Sequence, residues 1–144
     1  MKTLKTLTAA LLIIFTSSAF ANDNDDTKKS EKLLMDYTIK RYINAISHGE
    51  VKGISEIFDN DVKMTTTRNN KIESYGKSDI LGSLKFTENA EQNCSTDYKF
   101  LEMNPTQAVV KISMNYDGFS KVNVVSLANT AKGWRITNIS TSIY

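Results

Sequence analysis

One cysteine and one histidine are all that this 144-residue chain contains of either type, and these scarcities exclude whole classes of chemistry. A lone Cys94 cannot form an intramolecular bridge, so packing rather than a disulfide framework must hold the domain together. No histidine or basic cluster adjoins Cys94 in sequence to activate a thiolate. Free cysteines are commonly interior, so Cys94 is expected in the core. His48 would have to serve any triad or acid–base pair alone, and its place directly before Gly49 gives it a helix-terminal role instead. One histidine and one cysteine without clustered carboxylates cannot supply the three or four ligands of a zinc site. Asp23-Asn24-Asp25-Asp26 lacks the glycine and distal glutamate of a calcium loop, and no glycine-rich phosphate loop occurs. We therefore expect no cofactor and no metal, and no residue is assigned a catalytic role.

A long hydrophobic run is also missing. Leu7 to Phe15 is mostly apolar, but Thr6, Thr8, Thr16, Ser17 and Ser18 interrupt the stretch well short of the ~20 apolar residues that span a bilayer. With Lys2 and Lys5 in front and Ala19-Phe20-Ala21 behind, residues 1–21 read as a cleaved signal peptide and the mature chain begins at Asn22. The absence of cysteine at that point excludes a lipid anchor. Periplasmic or secreted localisation in a bacterium is the expectation. Losing Lys2 and Lys5 brings the 18 basic residues down to the 16 acidic ones, so the apparent positive charge vanishes. Nucleic acid is thus not an expected partner, nor is membrane after signal cleavage.

What remains is one small domain. Residues 22–29 are polar and predict a flexible leader; residues 30–144 form the domain. From Ser30, a candidate N-cap, to His48, the positions Leu34, Met35, Ile39, Tyr42, Ile43, Ala45 and Ile46 share one helical face. Gly49 is its natural stop. Val51, Ile54, Ile57 and Phe58 suggest a second helix that Asp59-Asn60-Asp61 ends. Val62 to Thr67 alternates as a strand, Arg68-Asn69-Asn70 turns, and Lys71 to Tyr75 returns. Ser78 caps a third helix through Ile80, Leu81 and Leu84, with Gly82 as its weak point. Cys94 to Phe100, Ala108 to Tyr116, Phe119 to Ala128 and Trp134 to Tyr144 are strands, with Asp117-Gly118 as a hairpin turn. The adjacent Val124 and Val125 suggest a bulge. Helices followed by long antiparallel strands make an α+β arrangement.

Tyr42-Ile43-Asn44-Ala45 through Gly49-Glu50-Val51, Ile57-Phe58-Asp59, Tyr75-Gly76-Lys77-Ser78-Asp79-Ile80 and Lys132-Gly133-Trp134-Arg135-Ile136 resemble the nuclear transport factor 2-like superfamily. Within it they are most similar to small exported bacterial members of the SnoaL-like kind, including those grouped as putative lumazine-binding proteins. The resemblance implies a cone: three N-terminal helices packed on one strongly curved, mostly antiparallel sheet. It also implies a pocket inside the cone, lined by Tyr42, Met64, Thr66, Tyr98, Met114, Tyr116 and Trp134. The same large side chains at amphipathic spacing equally describe a packed core.

Three functions follow from this resemblance. The first is an exported, non-catalytic domain binding a small, partly apolar molecule. The second is a homodimerising module using the outward row Val109, Lys111, Ser113 and Asn115. The third is an isomerase- or dehydratase-like enzyme. Against the third, the carboxylate base of the ketosteroid-isomerase branch aligns with Thr65 or Thr66, whose hydroxyls are not bases at neutral pH. Asp61, Glu73, Asp97 and Glu102 read as solvated surface acids.

Overall fold

In the computed structural model the backbone is described from Asp23 to Tyr144 and the side chains from Leu34. The expected signal segment and its cleavage point lie outside the described residues. Helix α1 spans Asp23–His48. Its buried stripe of Met35, Ile39, Tyr42 and Ala45 follows three- and four-residue steps. Two expectations change here. The helix begins at Asp23 rather than Ser30, so residues 23–29, read as a flexible leader, carry helical backbone; extending a nucleated helix needs no apolar residues of its own. Leu34 is 54% exposed, because it lies about 100° round the helix from Met35.

The second helix expected over Val51 to Phe58 is a four-residue 3-10 turn, Ile54–Ile57. Gly53, at φ +71, interrupts the chain before it, and Phe58 is already the first residue of strand β1, Phe58–Arg68. Among the described residues there are therefore two α-helices rather than three N-terminal ones. Asp59-Asn60-Asp61, read as the end of the second helix, lies within β1. Asn69 and Asn70, both with positive φ, supply the tight turn to strand β2, Lys71–Tyr75. Helix α2, Lys77–Phe86, follows. Its cap is Gly76 rather than Ser78: the Asp79 carboxylate accepts the Gly76 N–H at 3.1 Å, which a first-turn acid does well. Lys77 Nζ donates to the Phe58 carbonyl at 3.0 Å and to Asn60 Oδ1 at 3.2 Å, tying α2 to β1.

Strands β3 (Ser95–Met103), β4 (Gln107–Tyr116), β5 (Phe119–Thr130) and β6 (Gly133–Ile143) complete one curved sheet of order β2-β1-β6-β5-β4-β3. Every pair is antiparallel except β1 with β6. The expected bulge at Val124 and Val125 is displaced. Ser126 pairs with Asn138 and Leu127 with Ile136, which leaves Thr137 of β6 unopposed. Val125 points into the core while Val124 is half-buried on the outer face; two adjacent valines need no bulge when both faces are partly covered. Both helices lie on the inner face of the sheet, over a single core that includes Ile112, Leu127, Ile136 and Ile139.

Candidate functional site

A cavity of about 820 Å³ opens between α2 and the inner face of β2, β1, β6 and β5. Pairing register builds its floor. Glu73, Thr66 and Thr141 line it as direct neighbours on three successive strands, a polar row that the buried Asn123 of β5 continues outside the lining. Beside it Tyr75 and Met64 line the cavity, and the buried Ile139 and Val125 continue their apolar row into the core. Lys121 and Ile143, opposite each other on β5 and β6, close the far end. Ser78, Asp79, Ile80, Gly82 and Ser83 of α2 form the roof.

Two hydrogen bonds order the polar row. Tyr75 OH donates to Glu73 Oε2 at 2.7 Å, and this bond holds the phenol pKa above its ordinary value. Thr141 Oγ1 donates to Asn123 Oδ1 at 2.7 Å. Asn123 is 1% exposed, and its Nδ2 has no hydrogen-bond partner among the described residues. Burial lowers the Lys121 pKa, opposed in part by the nearby Cys94. Below its depressed folded pKa the ammonium carries its full desolvation cost. Between that value and the ordinary 10.5 the unfolded chain binds more protons, so stability rises with pH. Lys121→Met is therefore expected to raise the urea midpoint at pH 7, by an amount that shrinks as the pH approaches 10.5. An equal gain at every pH would assign the effect to packing instead.

Of the seven residues expected to line the pocket, Met64 and Thr66 stand in the cavity wall. Tyr42, Met114 and Trp134 are interior side chains of 1%, 1% and 3% exposure. Tyr42 meets Phe58 edge to face at 6.1 Å, and complete burial pushes its phenol pKa up. Tyr98 packs against the core beside Phe100. Tyr116 stacks on Phe119 at 4.5 Å and donates to Gln92 Oε1 at 3.3 Å. For Tyr98, Met114 and Tyr116 the reason is strand order: β3 and β4 lie at the opposite end of the sheet from β2, where the cavity opens.

The other residues singled out from sequence also find their places. Cys94 is half-buried ahead of β3 rather than in the core, with Sγ 3.9 Å from Thr96 Oγ1. Exposed His48 has Nδ1 3.5 Å from Glu91 Oε1. Among the described residues no three His, Cys, Asp or Glu side chains gather where a metal could bind. Glu73, read as a surface acid, stands in the cavity wall. It could have been found from the Asn69-Asn70 turn, which fixes Thr66 opposite Glu73. Lys121, Thr141 and Asn123 carried no such local signal.

A curved six-stranded sheet with helices on its inner face, and a cavity at one end, is the fold of the nuclear transport factor 2-like proteins. The chain belongs to the family described as Putative lumazine-binding, which it matches over residues 30–140. It is similar to an NTF2-like protein of unknown function from Silicibacter pomeroyi, with TM-score 0.68 and 11% identity over 81% of this chain and 98% of that one. An NTF2-like protein of unknown function from Shewanella baltica gives TM-score 0.64 at 11% identity, over 80% and 94% of the two chains. One from Methylobacillus flagellatus gives 0.58 at 15% identity, over 88% and 96%. At such identities the likeness concerns the fold alone. No curated protein matches the sequence.

Proposed function

We propose that this chain is an exported, non-catalytic binding domain that holds a small, partly apolar molecule between α2 and the floor formed by β2, β1, β6 and β5. The observation that carries the reading is the mixed lining of the cavity: apolar Met64, Tyr75, Ile80 and Ile143 beside polar Thr66, Glu73, Lys121 and Thr141. A ligand whose polar end reaches Thr141 and Lys121 would find hydrogen-bonding groups there, while its body lies along Met64 and Tyr75. Pockets that mix apolar walls with a few placed polar groups are the usual form of small-molecule sites. The Lys2–Lys5 lead, apolar Leu7 to Phe15 and Ala19-Phe20-Ala21 support export, and the neutral charge of the remaining chain agrees with a small ligand rather than nucleic acid.

A thermal-shift screen of small, partly apolar compounds tests the reading, and the family's description puts lumazine in the panel. A ligand at a hundredfold excess over its Kd should add about 2.7 kcal/mol, a rise of roughly 5–10 °C in Tm. Gly82→Phe is the matching control. Gly82 lines the cavity with open space where a Cβ would stand, so a phenyl group there should fill the site without disrupting the helix, and the shift should disappear. If no compound in the panel raises Tm, or if Gly82→Phe leaves the shift intact, the reading fails.

A further inference from the structure

We infer that a second site, which shares no lining residue with the cavity, binds an organic phosphate. A groove of about 460 Å³ runs between α1, the loop around Gly53 and the β5–β6 turn. Arg41, Lys52, Lys132 and Arg135 line it, against a single acid, Glu56. In a chain whose 18 basic residues nearly balance its 16 acidic ones, that is a marked local excess of one sign. None of the four cations makes a salt bridge among the described residues. Like charges gathered in a concave surface repel one another until an anion enters, so the electrostatic field there favours an anionic ligand.

The arginines are positioned before any ligand arrives. An Arg41 Nη2 N–H is donated to the Lys52 carbonyl, and an Arg135 Nη1 N–H to the Trp134 carbonyl at 3.2 Å. Each guanidinium also lies beside a glycine of left-handed φ, Arg41 by Gly53 and Arg135 by Gly133, at 3.9 Å from where a Cβ would stand. A guanidinium has five N–H donors, so one backbone bond fixes its place and leaves the rest for a ligand.

The chemistry selects phosphate over carboxylate. The four cations come from three separate segments: α1, the loop before Gly53 and the β5–β6 turn. A tetrahedral phosphomonoester presents three free oxygens to several cations at once, whereas the two coplanar oxygens of a carboxylate suit one fork. Tyr37, 60% exposed on the α1 side of the groove, gives the organic part of the ligand an aromatic surface. The phosphate could belong to a soluble phosphomonoester or to the headgroup of phosphatidic acid; both present a phosphomonoester with three free oxygens.

Trp134, the only tryptophan of the chain, lines this groove, so its fluorescence reports occupancy. Titration with phenyl phosphate, and co-sedimentation with vesicles of phosphatidic acid in phosphatidylcholine against phosphatidylcholine controls, distinguish the two sources. We expect saturable one-to-one binding of phenyl phosphate, or sedimentation with phosphatidic acid vesicles alone. In either arm the double variant Lys132→Gln/Arg135→Gln should bind at least about tenfold more weakly, since charge-assisted hydrogen bonds are lost. Glu56→Gln should bind more tightly, and Gly82→Phe should bind as the parent does, which separates this site from the cavity. The melting temperature of the double variant checks its fold. Absence of binding in both arms, or binding that survives the double substitution in a folded protein, overturns the proposal.

Discussion

Gly49→Ala is expected to destabilise the domain by about 2–5 kcal/mol, a large share of the ~5–15 kcal/mol that holds a domain of this kind folded. Two separate costs combine. The first is conformational: Gly49 sits at φ +66, where an L-residue loses roughly 1–2 kcal/mol. The second is steric, because a Cβ there would lie 2.4 Å from the Thr87 carbonyl oxygen and 2.6 Å from the backbone nitrogens of Asn89 and Ala90. These are main-chain atoms that no rotamer change can move. The same glycine accepts the Asn89 N–H at 3.0 Å, and Ser47 accepts the Gln92 N–H at 2.7 Å, so relief would mean separating the end of α1 from the chain leaving α2. Overpacking of this kind costs about 1–3 kcal/mol. Gly118→Ala is the control: its φ is +93 and nothing lies within 4 Å of the added carbon, so only the conformational cost applies. Urea denaturation of the two variants checks the argument. Equal losses would show that the steric clamp contributes nothing.

Tyr42→Ala should cost about 3–5 kcal/mol, as removal of a large interior ring does. Tyr42 is 1% exposed, meets Phe58 at 6.1 Å and belongs to the central cluster with Met35, Ile39 and Ile57. A tyrosine in a ligand-binding wall behaves otherwise: its truncation weakens binding while the urea midpoint hardly moves. A loss below about 1 kcal/mol would return Tyr42 to the wall of a pocket.

That contrast also shows where sequence reasoning reached and where it stopped. The Asn69-Asn70 turn, the β2 limits Lys71–Tyr75 and the Asp117-Gly118 hairpin are set by local backbone preferences, and the structure has all three. The 3-10 turn in place of a second helix depends on Gly53 and on Phe58 being drawn into pairing with Ile136, a partner far along the chain. The cavity floor depends on distant partners more heavily still. Thr66 and Glu73 come together through a hairpin, but Thr141 joins them across the parallel pair and Lys121 closes the end through β5. Alternation told which face Tyr98 and Tyr116 occupy. It could not tell that β3 and β4 would lie at the end of the sheet away from the opening.

The lone parallel pair also sets a timetable for assembly. Phe58 waits for Ile136, and Thr66 for Thr141, so β1 can find its inner neighbour only after nearly the whole chain has become available. Contacts of such sequence separation carry a loop-closure cost and slow folding. Until β6 docks, the β1–β2 hairpin and α2 have no sheet to rest on, while β3, β4, β5 and β6 can already pair among themselves as successive hairpins. The cavity floor is then the last part of the molecule to form, and truncation before Gly133, the start of β6, would leave a chain with β3, β4 and β5 and no floor.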